Sequence, residues 1–319
     1  MSLLTGPAVI PRSFTHLALF YQAPDEYAAQ VSAFLRAGLD AGEPAFVSIP
    51  ADRHGLLRDV LGAEAKGVHF EDMAQMGRNP AWIIPEVQKF VDAFPGQLVR
   101  YVGEPIWPTR TAAELREATR HEALINLAFA GANAAILCPY DTALLTPAVL
   151  DDARRTHPTL VSDGSTIPSR FYPGRGSIPA SCQLPLAQPP AQAMSLTYTD
   201  DLSMVRSEVE RQARRAHLPE TKIIDLVLAV GEVTANTIRH ARSSGTLDIS
   251  IDEREIVCTI RDAGTISDPL AGRRRPALDA LDGQGLWLVH QVCDLVEIRS
   301  GSAGTAIRLH MSLAPGDND

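Results

Sequence analysis

Leu228–Ala241 reads LAVGEVTANTIRHA, and its interpretation decides the fold of the last third of the chain. Within a helix predicted over Lys222–Arg242, Leu226, Val230, Val233 and Thr237 with Ile238 follow one apolar stripe, the pattern of a helix packed on a sheet. Glu232, Asn236 and His240 recur every fourth residue and share a different face. A carboxylate and a carboxamide one turn apart suit hard-cation and proton-transfer chemistry. An Asn oxygen is a ligand for Mg²⁺, and a Glu accepts a proton from a hydroxyl nucleophile. Taken alone, the triplet reads more simply as a solvated helix face.

The elements around this helix are legible. An amphipathic helix over Asp201–His217, carrying Leu202, Val205, Val209, Ala213 and Ala216, stops before Pro219. Thr246–Asp252 and Glu255–Asp262 alternate apolar and polar residues about Glu253-Arg254, as a hairpin does. A short helix follows at Gly285–Cys293. A second strand pair, Leu295–Arg299 and Thr305–Leu313, flanks Gly301-Ser302-Ala303-Gly304. Helices first and an antiparallel sheet after them predict an α+β two-layer sandwich.

Three more segments stand out. Asp262-Ala263-Gly264 ends a strand, where Asp-x-Gly is usually a turn. Gly283-Gln284-Gly285-Leu286 enters a helix, where glycines expose backbone amides to a phosphate but also make ordinary entry loops. Gly304-Thr305 lies in the last hairpin. Each is weak by itself. In this order, from roughly Leu196 to Leu313, the four resemble the N box and three glycine boxes of the GHKL, or Bergerat-fold, ATPases. The resemblance implies that Asn236 ligates the Mg²⁺ bridging the phosphates of ATP and that Asp262 accepts a hydrogen bond from the adenine amino group. It also implies that Gly264 leaves room for the base, that Gly283 and Gly285, in one box with Leu286, cradle phosphates, and that Thr305 sits near adenine. Thr265–Asp282 would be the ATP lid, its Arg273-Arg274-Arg275 either offering cations to phosphate or simply solvated. Ile266 stands where the family has a second glycine, which leaves ATP affinity open.

Within that family the short lid and the Glu-x-x-x-Asn-x-x-x-His box look most like the serine kinases that act as anti-sigma factors. That branch implies Glu232 as general base toward a serine or threonine of a STAS-type anti-anti-sigma partner, with a sigma factor as the other partner. Two alternatives stay open: a non-catalytic ATP-binding regulator of the same fold, and an orphan protein like a sensor histidine kinase. A complete histidine kinase is disfavoured because the helix before the ATP domain is too short to carry a phosphoacceptor histidine, so the orphan would act on a separate protein. No transducer domain is expected after Leu313, which argues against a gyrase-like ATPase.

Ahead of this region, residues 163–195 are punctuated by Pro168, Pro173, Pro179, Pro185, Pro189 and Pro190. Proline removes amide donors and fixes φ, so the stretch reads as a connector between domains at 1–162 and 196–319. The first domain alternates strands (Phe14–Tyr21, Ala45–Ile49, Gln97–Val102, Ala134–Cys138) with helices (Asp25–Ala41, Arg53–Leu61, Ala81–Phe94, Thr111–Ala130). That order predicts a mostly parallel sheet covered by helices, the α/β class. No P-loop follows any of these strands.

His16, FLRAGLDAGEPAFVSIP (34–50), HEALINLAF (121–129), Cys138-Pro139-Tyr140-Asp141 and His157-Pro158 resemble the MEDS sensory domains. The resemblance implies sensing of a small-molecule ligand. Glu104 and Trp107 follow one strand, Cys138, Tyr140 and Asp141 end another, and Glu122 and Asn126 lie one helical turn apart. Strand carboxyl ends line the usual crevice of a parallel sheet, so these seven residues are the candidate sensory pocket. The competing reading is that they satisfy backbone hydrogen bonds. Nothing in the spacing of His121 and His157 indicates a metal.

At 319 residues the chain has room for two domains, and 45% hydrophobic with 21% charged residues is ordinary for a globular protein. A net charge of −9 argues against direct nucleic-acid or anionic-membrane binding. The four cysteines are far apart and form no C-x-x-C pair, and no signal peptide or membrane-spanning run is evident. The expectation is a cytoplasmic protein, with homodimerisation left open.

Overall fold

A computed structural model of the chain describes residues 13–162, 164–241, 244–276 and 283–313. It divides into two compact units, Met1–Cys182 and Gln183–Asp319.

The first unit is built on a seven-stranded sheet. In chain order its elements are β1 (Thr15–Tyr21), α1 (Pro24–Leu39), β2 (Ala45–Ile49), α2 (His54–Leu61), β3 (Val68–Asp72), α3 (Met73–Met76), α4 (Ile83–Asp92), β4 (Val99–Gly103), α5 (Ala112–Ala128), β5 (Ala134–Asp141), α6 (Pro147–Thr156), β6 (Thr159–Ser162) and β7 (Ser165–Pro168). The strands lie in the order β3-β2-β4-β5-β1-β6-β7. All pairings are parallel except the last, where β7 runs antiparallel to β6. β2, β4 and β5 are buried almost throughout, as strands covered on both faces must be. Leu17, Leu19 and Tyr21 of β1 face a core made with Tyr27, Val31, Leu35 and Leu57 of α1 and α2. The alternate residues His16, Ala18 and Phe20 therefore face the other side. Pro24 opens α1, and a reciprocal Thr111–Glu114 capping box opens α5.

The second unit contains β8 (Met194–Tyr198), α7 (Ser203–Arg215), α8 (Glu220–Asn236), β9 (Gly245–Ile251), β10 (Glu255–Asp262), α9 (Gln284–Val292), β11 (Leu295–Gly301) and β12 (Gly304–Ser312). Its sheet is antiparallel throughout, in the order β11-β12-β10-β9-β8. Val205, Val209 and Ala213 of α7 and Leu226, Val230 and Val233 of α8 pack on Leu247, Ile249, Cys258, Ile260, Ile307 and Leu309 of the sheet. Both predicted fold classes are those observed.

Several boundaries differ from the predicted ones. α8 begins at Glu220, directly after Pro219, and gives way to a π-helical turn over Thr237–Ala241. Arg242 lies outside the described residues. The predicted connector is not all linker: β7 and β8 fall at its two ends, both as edge strands, where a neighbouring proline is tolerated. Between them the Leu184 and Ala187 carbonyls accept hydrogen bonds from Arg299 and Arg308, on the sheet face away from the helices.

Candidate functional site

The second unit contains a cleft of about 860 Å³, within the usual range for small-molecule sites. Glu232 and Asn236 of α8 line it, as do Asp262 and Gly264 at the end of β10, Gly283, Gly285 and Leu286 at the start of α9, and Thr305 of β12. The residues singled out in the sequence for nucleotide thus share one cavity.

Local geometry explains how they meet. Glu232 and Asn236 lie one α-helical turn apart and half-buried. A Cβ added to Gly285 would stand 2.7 Å from Glu232 Oε2 and 3.5 Å from Asn236 Nδ2. The first turn of α9 therefore closes on that carboxylate and carboxamide only because residue 285 lacks a side chain. Gly283 caps α9 with φ +84° and has no side chain of its own to compete for the first amides of the helix.

At the other end, Asp262 is held by both oxygens. Oδ1 accepts from the Gly264 amide at 2.7 Å, and Oδ2 accepts from the Thr237 hydroxyl at 2.8 Å. Thr237 in turn accepts from the Tyr198 hydroxyl at 2.9 Å. Each carboxylate oxygen has a second lone pair, so acceptor capacity remains for a ligand. A second relay fixes the turn after Asp262. The Ile266 amide donates to Ser300 Oγ at 2.7 Å, Ser300 bonds Thr305 Oγ1 at 2.8 Å, and Thr305 donates to the Gly264 carbonyl at 2.8 Å. Ile266 itself packs against the core, which gives the non-glycine residue a structural role.

The arginine triplet is split: Arg274 and Arg275 line the cleft, whereas Arg273 is buried. Residues 277–282 of the predicted lid lie outside the described residues. The structure adds Arg239, exposed on the cleft wall within the π turn, to the cations considered in the sequence. It also adds Tyr198, Thr237 and Ser300 as residues that position others. Thr237 was legible only as part of an apolar stripe, because periodicity does not show where a hydroxyl goes.

In the first unit the seven candidate pocket residues do not gather in one place. Tyr140 and Asp141 are adjacent in β5, and strand alternation sends them to opposite faces. Asp141 and Glu104 face Arg53, with Arg53 Nη2 3.7 Å from Asp141 Oδ2, and Arg53 also bonds Tyr21 and Glu104. These groups sit at the carboxyl ends of β1, β2, β4 and β5, the ligand crevice of a parallel sheet. Burial raises the Glu104 carboxyl to about 7 despite the opposing pull of Arg53. Glu122, Asn126 and Cys138 lie on the other face, joined there by His16 and His157, with the Tyr140 ring edge-on to His157. Trp107 is stacked under the Arg110 guanidinium, 3.7 Å from its ring centre.

Residues 15–158 match the family model of the MEDS domain, described as the methanogen/methylotroph, DcmR sensory domain. Residues 196–311 match that of the histidine kinase-like ATPase domain. The chain thus carries a MEDS sensory domain followed by a GHKL-like ATPase domain, the arrangement expected from its motifs. No curated protein sequence matches it. Among solved structures, the RsbU and RsbW domains of Rv1364c from Mycobacterium tuberculosis are similar at 16% identity and a TM-score of 0.30, over 39% of this chain and 33% of that one. The match therefore spans about a third of the length of that solved chain. Among the described residues no helix is long and apolar enough to cross a membrane.

An ATPase domain implies ATP, usually with Mg²⁺, and the cleft fits both. Its volume suits a nucleotide, its glycine-capped helix start offers amides to phosphate, and Asn236 supplies the kind of oxygen that Mg²⁺ prefers.

Proposed function

We propose that the second unit binds Mg-ATP and phosphorylates a serine or threonine of a STAS-type anti-anti-sigma partner, as an anti-sigma factor under control of the first unit. The observation that carries this reading is the placement of Glu232 beside Asn236 and under Gly285, at the end of the cleft where α9 begins. Asn236 would hold Mg²⁺, and the amides of α9 would hold phosphate oxygens. The metal would supply charge neutralisation to the transferring phosphoryl group. Glu232 would take the proton of the partner hydroxyl as that oxygen bonds to the γ-phosphorus and the bond from phosphorus to the bridging oxygen breaks, leaving ADP. Asp262, fixed by Gly264 and Thr237, accepts from the adenine amino group, and Thr305 lies beside it. Small-molecule sensing is assigned to the crevice of Glu104 and Asp141. A sigma factor would be the target released or held as the partner changes phosphorylation state.

Glu232→Gln keeps the shape of the side chain and removes the base. Transfer from ATP to a STAS partner should fall by about 10²–10⁴-fold, with nucleotide affinity unchanged in calorimetry. Transfer at the original rate would remove Glu232 from the chemistry. The phosphoprotein should survive acid; an acid-labile product would indicate histidine phosphorylation instead. ATP binding with no transfer to any partner serine would favour the non-catalytic regulator.

A further inference from the structure

Four side chains from four separate parts of the first unit meet on the α5 face of its sheet: His16 of β1, Glu122 of α5, Cys138 of β5, and His157 just after α6. All four are buried, at 0–1% exposure. His16 Nε2 lies 3.1 Å from Glu122 Oε2 and 3.5 Å from Cys138 Sγ. His157 Nε2 lies 3.3 Å from the same Glu122 oxygen. The four ligand atoms are all within 4.8 Å of one another.

Outer partners fix which nitrogen of each imidazole carries the proton. Asn126 Nδ2 donates to the Thr156 carbonyl at 2.7 Å and to the Glu122 and Ala123 carbonyls, so its Oδ1 is the atom facing His16 Nδ1 at 3.3 Å. His16 Nδ1 is therefore the donor. His157 Nδ1 lies 2.8 Å from the Ala153 carbonyl, which can only accept. A neutral ring in that tautomer keeps its lone pair on Nε2, and the two Nε2 atoms converge on one oxygen of Glu122. Glu122 Oε1 and His157 Nε2 have no hydrogen-bond partner. Neutral rings thus set acceptors against an acceptor inside a buried core, with the thiol of Cys138 the one donor among the four converging atoms. Such an arrangement is unfavourable by itself and becomes favourable around a cation. Orientation of the ligating imidazole through its other nitrogen is how proteins prepare metal ligands.

We propose that His16, Glu122, Cys138 and His157 bind a zinc-type divalent cation. Metal–ligand bonds of about 2.0–2.3 Å place tetrahedral ligands roughly 3.3–3.8 Å apart. Three of the separations here are 3.1, 3.3 and 3.5 Å, and the others lie within 4.8 Å, so the ligands need only close slightly around an ion. Two imidazoles, a thiolate and one carboxylate form a borderline-soft set, which selects Zn²⁺ or Co²⁺ over the oxygen-seeking Mg²⁺ and Ca²⁺. On binding, the Cys138 S–H bond breaks, its proton leaves to solvent and the sulfur electron pair bonds the metal. Thiolate and carboxylate then balance the two positive charges, so the buried cluster is neutral as a whole. The site shares no residue with the nucleotide cleft and does not depend on the kinase reading.

The test uses the full chain, stripped with chelator and titrated with Co²⁺ without nucleotide. One equivalent should bind, giving the intense visible absorption of tetrahedral cobalt and a thiolate-to-cobalt band in the near ultraviolet. Zn²⁺ should displace it, and excess Mg²⁺ should not. Cys138→Ser should remove the thiolate band, whereas the combined Cys182→Ala, Cys258→Ala and Cys293→Ala variant should keep it. Asn126→Leu, which frees the His16 tautomer, should weaken Co²⁺ by about 10–100-fold with the band retained. The combined variant keeps the test decisive even if Cys138→Ser does not fold. Absence of Co²⁺ and Zn²⁺ binding by the folded chain, loss of the thiolate band in the combined variant, or its survival in folded Cys138→Ser would each overturn the proposal.

Discussion

The Asp262 carboxylate commits one oxygen to the Gly264 amide and the other to Thr237, whose hydroxyl is itself held by Tyr198. Its direction is therefore set before any ligand arrives, which is the condition for a base-specific contact. Thr237→Val removes the relay at almost constant volume. Losing one such hydrogen bond should cost about 1 kcal/mol of ATP affinity, roughly fivefold, measurable by calorimetry. Gly304 is a sharper constraint. Its φ is +111°, and a Cβ there would stand 2.3 Å from the Asp262 carbonyl oxygen. Gly304→Ala should destabilise the second unit by about 1–3 kcal/mol in denaturant titration and disturb Asp262 with it. The sequence singles out both residues through the order of the glycine boxes. It shows neither the close backbone approach at Gly304 nor the hydroxyl chain behind Asp262, because both depend on strands paired across the sheet.

Elements were legible in proportion to their burial. The apolar periods of α7 and α8 survive in the structure because one face of each helix rests on the sheet. Leu226 is fully buried there, so Leu226→Ala should lower stability by about 2–5 kcal/mol in thermal or denaturant melts. β3, β6, β7 and β8 escaped detection. β3 and β8 alternate toward solvent, and β7 is exposed throughout, so none offers an apolar run. On β12, His310 lies between Glu255 at 3.0 Å and Glu297 at 3.3 Å. Burial alone would lower its pKa, but hydrogen bonds to the two carboxylates outweigh it and raise the group from 6.5 to about 9. The folded state holds this proton more tightly than the unfolded one. The stabilisation is complete below about pH 6.5 and disappears as pH rises through 9. Melting temperature should fall across that window, and His310→Gln should flatten the dependence.

At the scale of the molecule, the two candidate sites differ in how far apart their residues stand in sequence. Each part of the nucleotide cleft comes from one short segment, so its motifs can be read in order. His16, Glu122, Cys138 and His157 span most of the first unit, and the parallel register of β1 with β5, together with α5 and α6 above it, brings them together. No spacing rule could announce that set. The candidate sensory residues divide between two faces of the sheet for a related reason, since neighbours in a strand face opposite ways. The second unit also holds its cleft, core and sheet within its own bounds. A fragment covering 183–319 should bind ATP as the full chain does; loss of binding by a folded fragment would show that the first unit contributes directly.

Among the described residues β8 pairs on one side only, with β9, and it ends at Tyr198. Chain tension applied ahead of Met194 would strip this strand like a zip fastener, pair by pair, with Tyr198 the last to leave. The force would then reach Thr237 and, one hydroxyl later, the carboxylate meant for the purine. A mechanical signal along the backbone would thus arrive at the nucleotide through three side chains, Tyr198, Thr237 and Asp262.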